Sequence, residues 1–193
     1  IRHILRQDPD VIMIGEIRDL ETAEIAIQAA LTGHLVLSTL HTNSAPGAIT
    51  RLLDMNVEPF LIASSVKGII AQRLVRELCP SCKKESVVSE EIKKRIVSLI
   101  PFSINELTLA KPSGCEKCHG LGYKGRVGIF EILMVEEGIQ ELILKRANEP
   151  EITELAVSRG MNTLKVSGIK KALNKVTSME EVMRVTFVER VYK

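Results

Sequence analysis

Aromatic residues are scarce in this chain of 193 residues: four Phe, two Tyr and no Trp make up 3% of it. Platforms on which nucleobases stack are correspondingly few. No charge of one sign dominates, with 26 Lys and Arg against 24 Asp and Glu for a net +2, so charge gives no reason to expect nucleic acid or an anionic membrane. No apolar run reaches the roughly 18–20 residues of a membrane span. No n-region, h-region and cleavage pattern opens the chain. An initiator Met is also missing, and Ile1-Arg2-His3-Ile4 reads as the middle of a helix, so the expectation is an excised fragment. A phosphate loop of the form GxxxxGK(S/T) is absent. The one decoy, Gly120-Leu121-Gly122-Tyr123-Lys124-Gly125, has GxGxxG spacing but follows a CxxC rather than a strand and opens no helix. Arg126-Val127 stands where Lys and a hydroxyl residue are needed, so these glycines read as turn residues.

What remains is ordinary globular composition, 45% hydrophobic and 26% charged, at a length suited to one medium domain or two small ones. Residues 11 to 15 form a continuous apolar run, as in a parallel strand covered on both faces. Asp19 is placed to cap a helix from Leu20 to Leu31 that Gly33 ends, and Leu35 to Leu40 is a second short strand. Strand, helix, strand with short links is a right-handed βαβ unit. A helix follows Ser44 with Pro46 in its first turn, and another apolar stretch runs from Phe60 to Val75. From Leu78 to Tyr123 the pattern breaks; charges crowd the stretch between the cysteines, which reads as a surface insertion with one short helix. Gly125 to Val135 returns to strand character, and short helices follow, two of them opened by reciprocal capping patterns, Asn148 with Glu151 and Ser178 with Glu181.

Ligands of open α/β sheets bind beyond the carboxyl ends of the strands. Glu16 sits there, just past the first strand, where a carboxylate can orient water for hydrolysis of a nucleoside triphosphate or assist its magnesium ion. A solvated Glu ending a strand is the bland alternative. His34 and His41 bracket the second strand, seven positions apart, about 23 Å at strand rise, too far to meet on one phosphate. Parallel pairing puts His41 at the edge of Glu16 and His34 at the opposite edge. His41 is thus the candidate for touching a γ-phosphate or its attacking water, while His34 reads as satisfied by nearby backbone.

Four cysteines form two CxxC pairs, Cys79/Cys82 and Cys115/Cys118. Without a secretory signal the pattern favours a metal over disulfides, and two CxxC knuckles suit a four-thiolate structural zinc with no open coordination position. The 32 residues between Cys82 and Cys115 exceed the common spacing of about 15–20 and require a loop insertion. A redox reading of Cys79-Pro80-Ser81-Cys82 stays open, though it leaves the second pair unexplained. His119 beside the last ligand reads as a bystander.

Several segments together resemble the secretion ATPases of the type II secretion and type IV pilus assembly group. They are Leu5-Arg6-Gln7-Asp8-Pro9-Asp10 running into Ile14-Gly15-Glu16-Ile17-Arg18-Asp19, then Thr32 through Asn43, Ala71-Gln72-Arg73-Leu74, both cysteine pairs, and Gly122 through Glu131. A weaker echo runs from Gly160-Met161 to Glu180-Glu181-Val182, where Ser167 and Lys175 replace an expected acid and glycine. The resemblance implies a partial RecA-like α/β core, with Glu16 as the Walker B acid and His34 and His41 in a histidine box. Arg18, Gln72 and Arg73 are carried along with the nucleotide site. It further implies a homo-hexameric motor that uses ATP and Mg2+ to drive pilus or pseudopilus assembly through an inner-membrane platform protein. Such a motor is cytoplasmic and peripheral to the membrane, with no nucleic-acid partner. The cysteines favour the assembly or secretion branch over retraction motors. The family's P-loop and its acidic magnesium-site segment are missing, so the isolated chain is expected to be inactive.

The expected organisation is residues 1–78 as the second half of the core, 79–122 as a tetracysteine zinc module, and 123–193 as a strand return with helical C-terminal region. A different reading keeps the chain as a zinc-containing docking module without activity of its own. A zinc-ribbon nucleic-acid binder is disfavoured by the charge and the few aromatics.

Overall fold

The computed structural model describes residues 9–88, 90–100 and 108–186. These fall into two compact units, one built from the stretches Ile1–Ala71 and Ile132–Met161, the other from Gln72–Glu131 and Asn162–Lys193.

In the first unit, β1 (Val11–Ile14) pairs in parallel with β2 (Leu35–Ser38), in register from Val11 opposite Leu35 to Ile14 opposite Ser38. The connecting helix α1 (Leu20–Leu31) starts where Asp19 accepts a hydrogen bond from the Thr22 N–H at 2.8 Å. It ends at Gly33, whose φ of +101° lets His34 N–H reach back to Ala29 O. Ala26 and Ala29 of this helix cover Ile12 and Ile14 on one face of the strand pair. The other face carries Val11, Met13, Leu35 and Leu37, which are 50–78% exposed. A parallel sheet normally hides both faces.

Ser44 caps α2 (Ala45–Asp54), with Pro46 in its first turn. The apolar stretch beginning at Phe60 is divided between α3 (Pro59–Ser65) and the start of β3 (Gly68–Leu78). β3 pairs with β6 (Tyr123–Met134). After β6 come α5 (Glu137–Leu144) and α6 (Glu149–Ser158), the latter opened by a complete reciprocal cap: Asn148 and Glu151 each accept the other's backbone N–H. Ile49, Ile62, Ile139, Ile143 and Ile152 close the core between these helices. Each is fully buried, contributing roughly 1.5–3 kcal/mol.

The second unit corrects the expectation of a surface insertion with one short helix. The cysteine segment holds β4 (Lys84–Val87) antiparallel to β5 (Thr108–Lys111), the helix α4 (Glu90–Leu99) and a one-turn 3-10 helix at Glu116–Cys118. Ile96, Ile100 and Leu109 are buried against Ile169 and Ala172 of α7 (Leu164–Leu173) and Val182 of α8 (Met179–Thr186). The crowd of charges hid this apolar stripe at i, i+4 spacing. Where a glycine was expected, Lys175 takes a left-handed φ of +57° and closes α7, at a cost of about 1 kcal/mol relative to glycine. Its ammonium meets Glu85 at 2.5 Å. Ser167, in place of an acid, accepts a hydrogen bond from Phe130 N–H through its hydroxyl.

The expected cap at Ser178 is realised by half. Ser178 Oγ accepts from Glu181 N–H at 3.2 Å, but the Glu181 carboxylate does not return the bond. It accepts instead from the Arg76 N–H and guanidinium and from two nitrogens of Arg184, at 2.7–3.0 Å, with no solvent exposure. Arg76 in turn lies 4.3 Å over the Tyr123 ring, whose hydroxyl meets Ser178 Oγ at 2.8 Å. Arg184 first, and Arg76 with it, hold the Glu181 carboxyl down at about 2 against the opposing effect of burial. A depressed folded pKa stabilises above the unfolded value near 4.3 and is lost as pH falls toward the folded one. The ion cluster therefore contributes about 3 kcal/mol at neutral pH, lost between about pH 4.5 and 2. Melting Glu181→Gln beside the wild type across that range will show a less stable protein at pH 7 and a much shallower acid limb. Parallel acid limbs would disprove the assignment.

Candidate functional site

Residues just past β1 and β2 lie at the same edge because the two strands run parallel. Two bonds continue the pairing beyond the strands: Thr39 Oγ1 donates to Gly15 O at 2.6 Å, and Ile17 N–H donates to Thr39 O at 2.9 Å. Glu16 and His41 thereby converge, His41 Nε2 lying 3.0 Å from Glu16 Oε2. Arg18 meets the other carboxylate oxygen at 2.5 Å. The Arg18 guanidinium, with a smaller share from His41, keeps the Glu16 carboxyl below the usual carboxylate range. Glu16 is thus an anion with both oxygens engaged, and the imidazole must carry its proton on Nε2 to bond it. The pair is open to solvent, Glu16 31% and His41 86% exposed, so an arriving ligand can reach both.

His34 lies at the opposite end of β2. Its Nδ1 is 3.0 Å from Ala29 O and 3.1 Å from Thr32 Oγ1. A carbonyl only accepts, so His34 carries its proton on Nδ1 and its ring is held by the end of α1. Gln72 and Arg73 stand on β3 in the second unit, Gln72 exposed and directed toward Gly128. Thr39, just past β2, ties the two strand ends together with its hydroxyl. Sequence reasoning missed the partner of Ser44, Glu149, which sits 105 residues downstream and carries no local signal.

The second cluster is cysteine. All four thiols are free, and their sulfurs lie within 4.8 Å of one another: Cys79 to Cys115 at 3.9 Å, Cys82 to Cys118 at 3.8 Å, Cys115 to Cys118 at 3.7 Å. Among the described residues this is the one group of three or more His, Cys, Asp or Glu side chains placed to hold a metal ion. Each knuckle turns back on itself, Lys83 N–H bonding Cys79 O and Gly120 N–H bonding Cys115 O. Gly122, at φ +75°, donates its N–H to Cys118 Sγ and accepts Cys79 N–H at its carbonyl; a Cβ there would lie 2.4 Å from Pro112 Cβ. Burial pushes the Cys118 thiol up, but the N–H groups of Cys115 and Gly122 outweigh it and bring it down to about 6. Burial, with the neighbouring sulfurs and against one bond from Gly114, pushes Cys82 up to about 11. Cys82 leads into β4, so the strand-to-helix setting of a thioredoxin-type site is not present. All three glycines of the GxGxxG decoy have positive φ; Gly120 and Gly122 lie in turns as expected, whereas Gly125 lies within β6.

No helix among the described residues is long and apolar enough to cross a membrane. Across residues 1–184 the chain matches the family model described as type II/IV secretion system protein. It is 53% identical to the type II secretion system ATPase E of Vibrio cholerae over 186 residues, 96% of this chain and 36% of that protein. It is 48% identical to the type IV pilus assembly ATPase PilB of Myxococcus xanthus over 190 residues, 98% of this chain and 34% of that protein. The chain therefore spans about a third of the length of these relatives. Among solved structures it is similar to the pilus retraction motor PilT with bound ADP, at a TM-score of 0.65 and 27% identity over 95% of this chain and 41% of that one. Mixed α/β architecture is common to both. The chain belongs to the type II/IV secretion system protein family.

Proposed function

We propose that the chain is the Walker B and histidine-box part of a motor ATPase that couples ATP hydrolysis to pseudopilus or pilus assembly. One observation carries this reading: Glu16 and His41, 25 residues apart, meet at the carboxyl edge of a parallel strand pair. In this reading the Glu16 carboxylate orients the attacking water, and the Nε2 proton of His41 turns from Glu16 to the γ-phosphate as charge develops there. Arg18 holds one oxygen of the Glu16 carboxylate in an ion pair. His34 acts structurally at the far edge, and Gln72 and Arg73 are carried over from the family resemblance as candidate nucleotide residues. Magnesium, arriving with the nucleotide, would supply charge neutralisation there; both Glu16 oxygens are engaged by Arg18 and His41. The bare face of Val11, Met13, Leu35 and Leu37 supports a further layer from the rest of the motor over the strands. Residues 1–78 then form the second half of a RecA-like core, followed by the metal module and the C-terminal region.

The four thiols fit zinc. A tetrahedron with bonds of about 2.3 Å has edges of about 3.8 Å, and three of the sulfur separations are 3.7–3.9 Å. Four protein ligands leave no open position, so the ion is structural. The whole protein would act as a cytoplasmic homo-hexamer on an inner-membrane platform protein, without a nucleic-acid partner. ATP turnover compared between the full-length protein and this chain tests the site reading. The full-length protein will show magnesium-dependent hydrolysis, and the chain of 193 residues alone none. Turnover by the isolated chain would show that the site needs nothing beyond it; an inert full-length protein would favour the docking-module reading.

A further inference from the structure

We propose that Glu149, at the first residue of α6, is a positioning residue for the loop that carries His41, an inference that rests on the motor reading above. His41 is 86% exposed, and its imidazole touches Glu16 at 3.0 Å. A side chain so exposed is placed mainly by its own backbone, from Leu40 to Ser44. On one side that backbone is fixed by Thr39, whose hydroxyl and carbonyl both bond the segment of Glu16. On the other side, Thr42 Oγ1 donates to Ser44 O at 3.1 Å, folding the loop onto Ser44. Ser44 Oγ then accepts from Gly47 N–H at 3.0 Å and donates to Glu149 Oε1 at 2.5 Å. Such a short hydroxyl-to-carboxylate bond is charge-assisted and strong.

The contact is also partly buried. A Cβ at Gly47 would lie 2.7 Å from Ser44 Oγ and 3.5 Å from the Glu149 carboxyl, so the glycine leaves the room that the tether fills. The negative carboxylate faces the N-terminus of α2 as well as standing at that of α6, favourable for both helix dipoles. Glu149 touches neither Glu16 nor His41 directly. It sets where the loop between them and α2 can stand.

Measuring ATP turnover and hydrogen–deuterium exchange on the full-length protein decides this. Glu149→Ala should lower kcat about tenfold with KM for ATP within about twofold, because displaced machinery costs rate rather than ground-state binding. Glu149→Gln keeps an acceptor oxygen for Ser44 and should restore most of the rate. Ser44→Ala should match Glu149→Ala, and the double variant should be no worse than either. Exchange of the peptide spanning residues 40–47 should quicken in Glu149→Ala. If that variant fails to fold, Ser44→Ala carries the same test with α6 intact. Wild-type kcat in both single variants, or losses that multiply in the double, would overturn the tether. Should the wild type itself lack turnover, the motor reading falls, and exchange at residues 40–47 still decides the tether: quicker supports it, unchanged refutes it.

Discussion

Full-length protein carrying Glu16→Gln will bind ATP like the wild type and hydrolyse it at least about a hundredfold more slowly. The substitution keeps the side chain's shape and changes two things. A carboxylate can accept from Arg18 and His41 at once, whereas an amide offers one acceptor oxygen and turns an NH2 toward one of two donors. An amide also cannot polarise a water as an anion does. A Glu carboxylate is a weak base at neutral pH, and Arg18 lowers its basicity further, so its contribution lies in orienting water and in the field it sets up. Isothermal titration with ATP and a steady-state turnover assay separate binding from chemistry. Turnover within threefold of the wild type would defeat the role assigned to Glu16.

In the proposed four-thiolate zinc site, loss of the metal will have the largest effect on stability. Binding of a structural zinc is folding free energy, on the order of 10 kcal/mol in small thiolate domains. Its removal by a chelator, or Cys118→Ser, will destabilise the second unit severely while α1, β1 and β2 in the first keep their secondary structure. Cys118 is the informative position because it receives two backbone N–H bonds, from Cys115 and Gly122, which a smaller hydroxyl oxygen would leave stretched. Elemental analysis should find one zinc per chain in reducing buffer. A content well below one ion would eliminate the four-thiolate assignment, whatever the variant does.

Much of the architecture was legible because the signals were local. Asp19 and Gly33 bound α1, Ser44 with Pro46 opens α2, and Asn148 with Glu151 opens α6, since each cap is made within a few residues. The placement of His41 beside Glu16 followed from strand rise and parallel pairing alone. What escaped was long-range. Glu181 carries a capping pattern, yet it answers to Arg76, 105 positions away, because two guanidinium groups outbid one backbone N–H. Ile96 and Ile100 looked like insertion residues until α7 and α8 covered them. Net charge misled by averaging over interleaved stretches: the described residues of the first unit hold 6 Lys and Arg against 13 Asp and Glu, those of the second 16 against 8. A total of +2 described neither surface.

The long gap between the cysteine pairs takes on a different meaning once the four sulfurs are seen together. Both pairs are 36 positions apart, Cys79 from Cys115 and Cys82 from Cys118, so the proposed zinc pins the two ends of one excursion. The entropy lost in closing a loop grows with the logarithm of its length, and doubling the excursion would add only about 0.6 kcal/mol. A clasp at the base makes the length of what it encloses nearly free to drift. The 32 residues between Cys82 and Cys115 therefore hold an antiparallel strand pair and a helix without loosening the clasp.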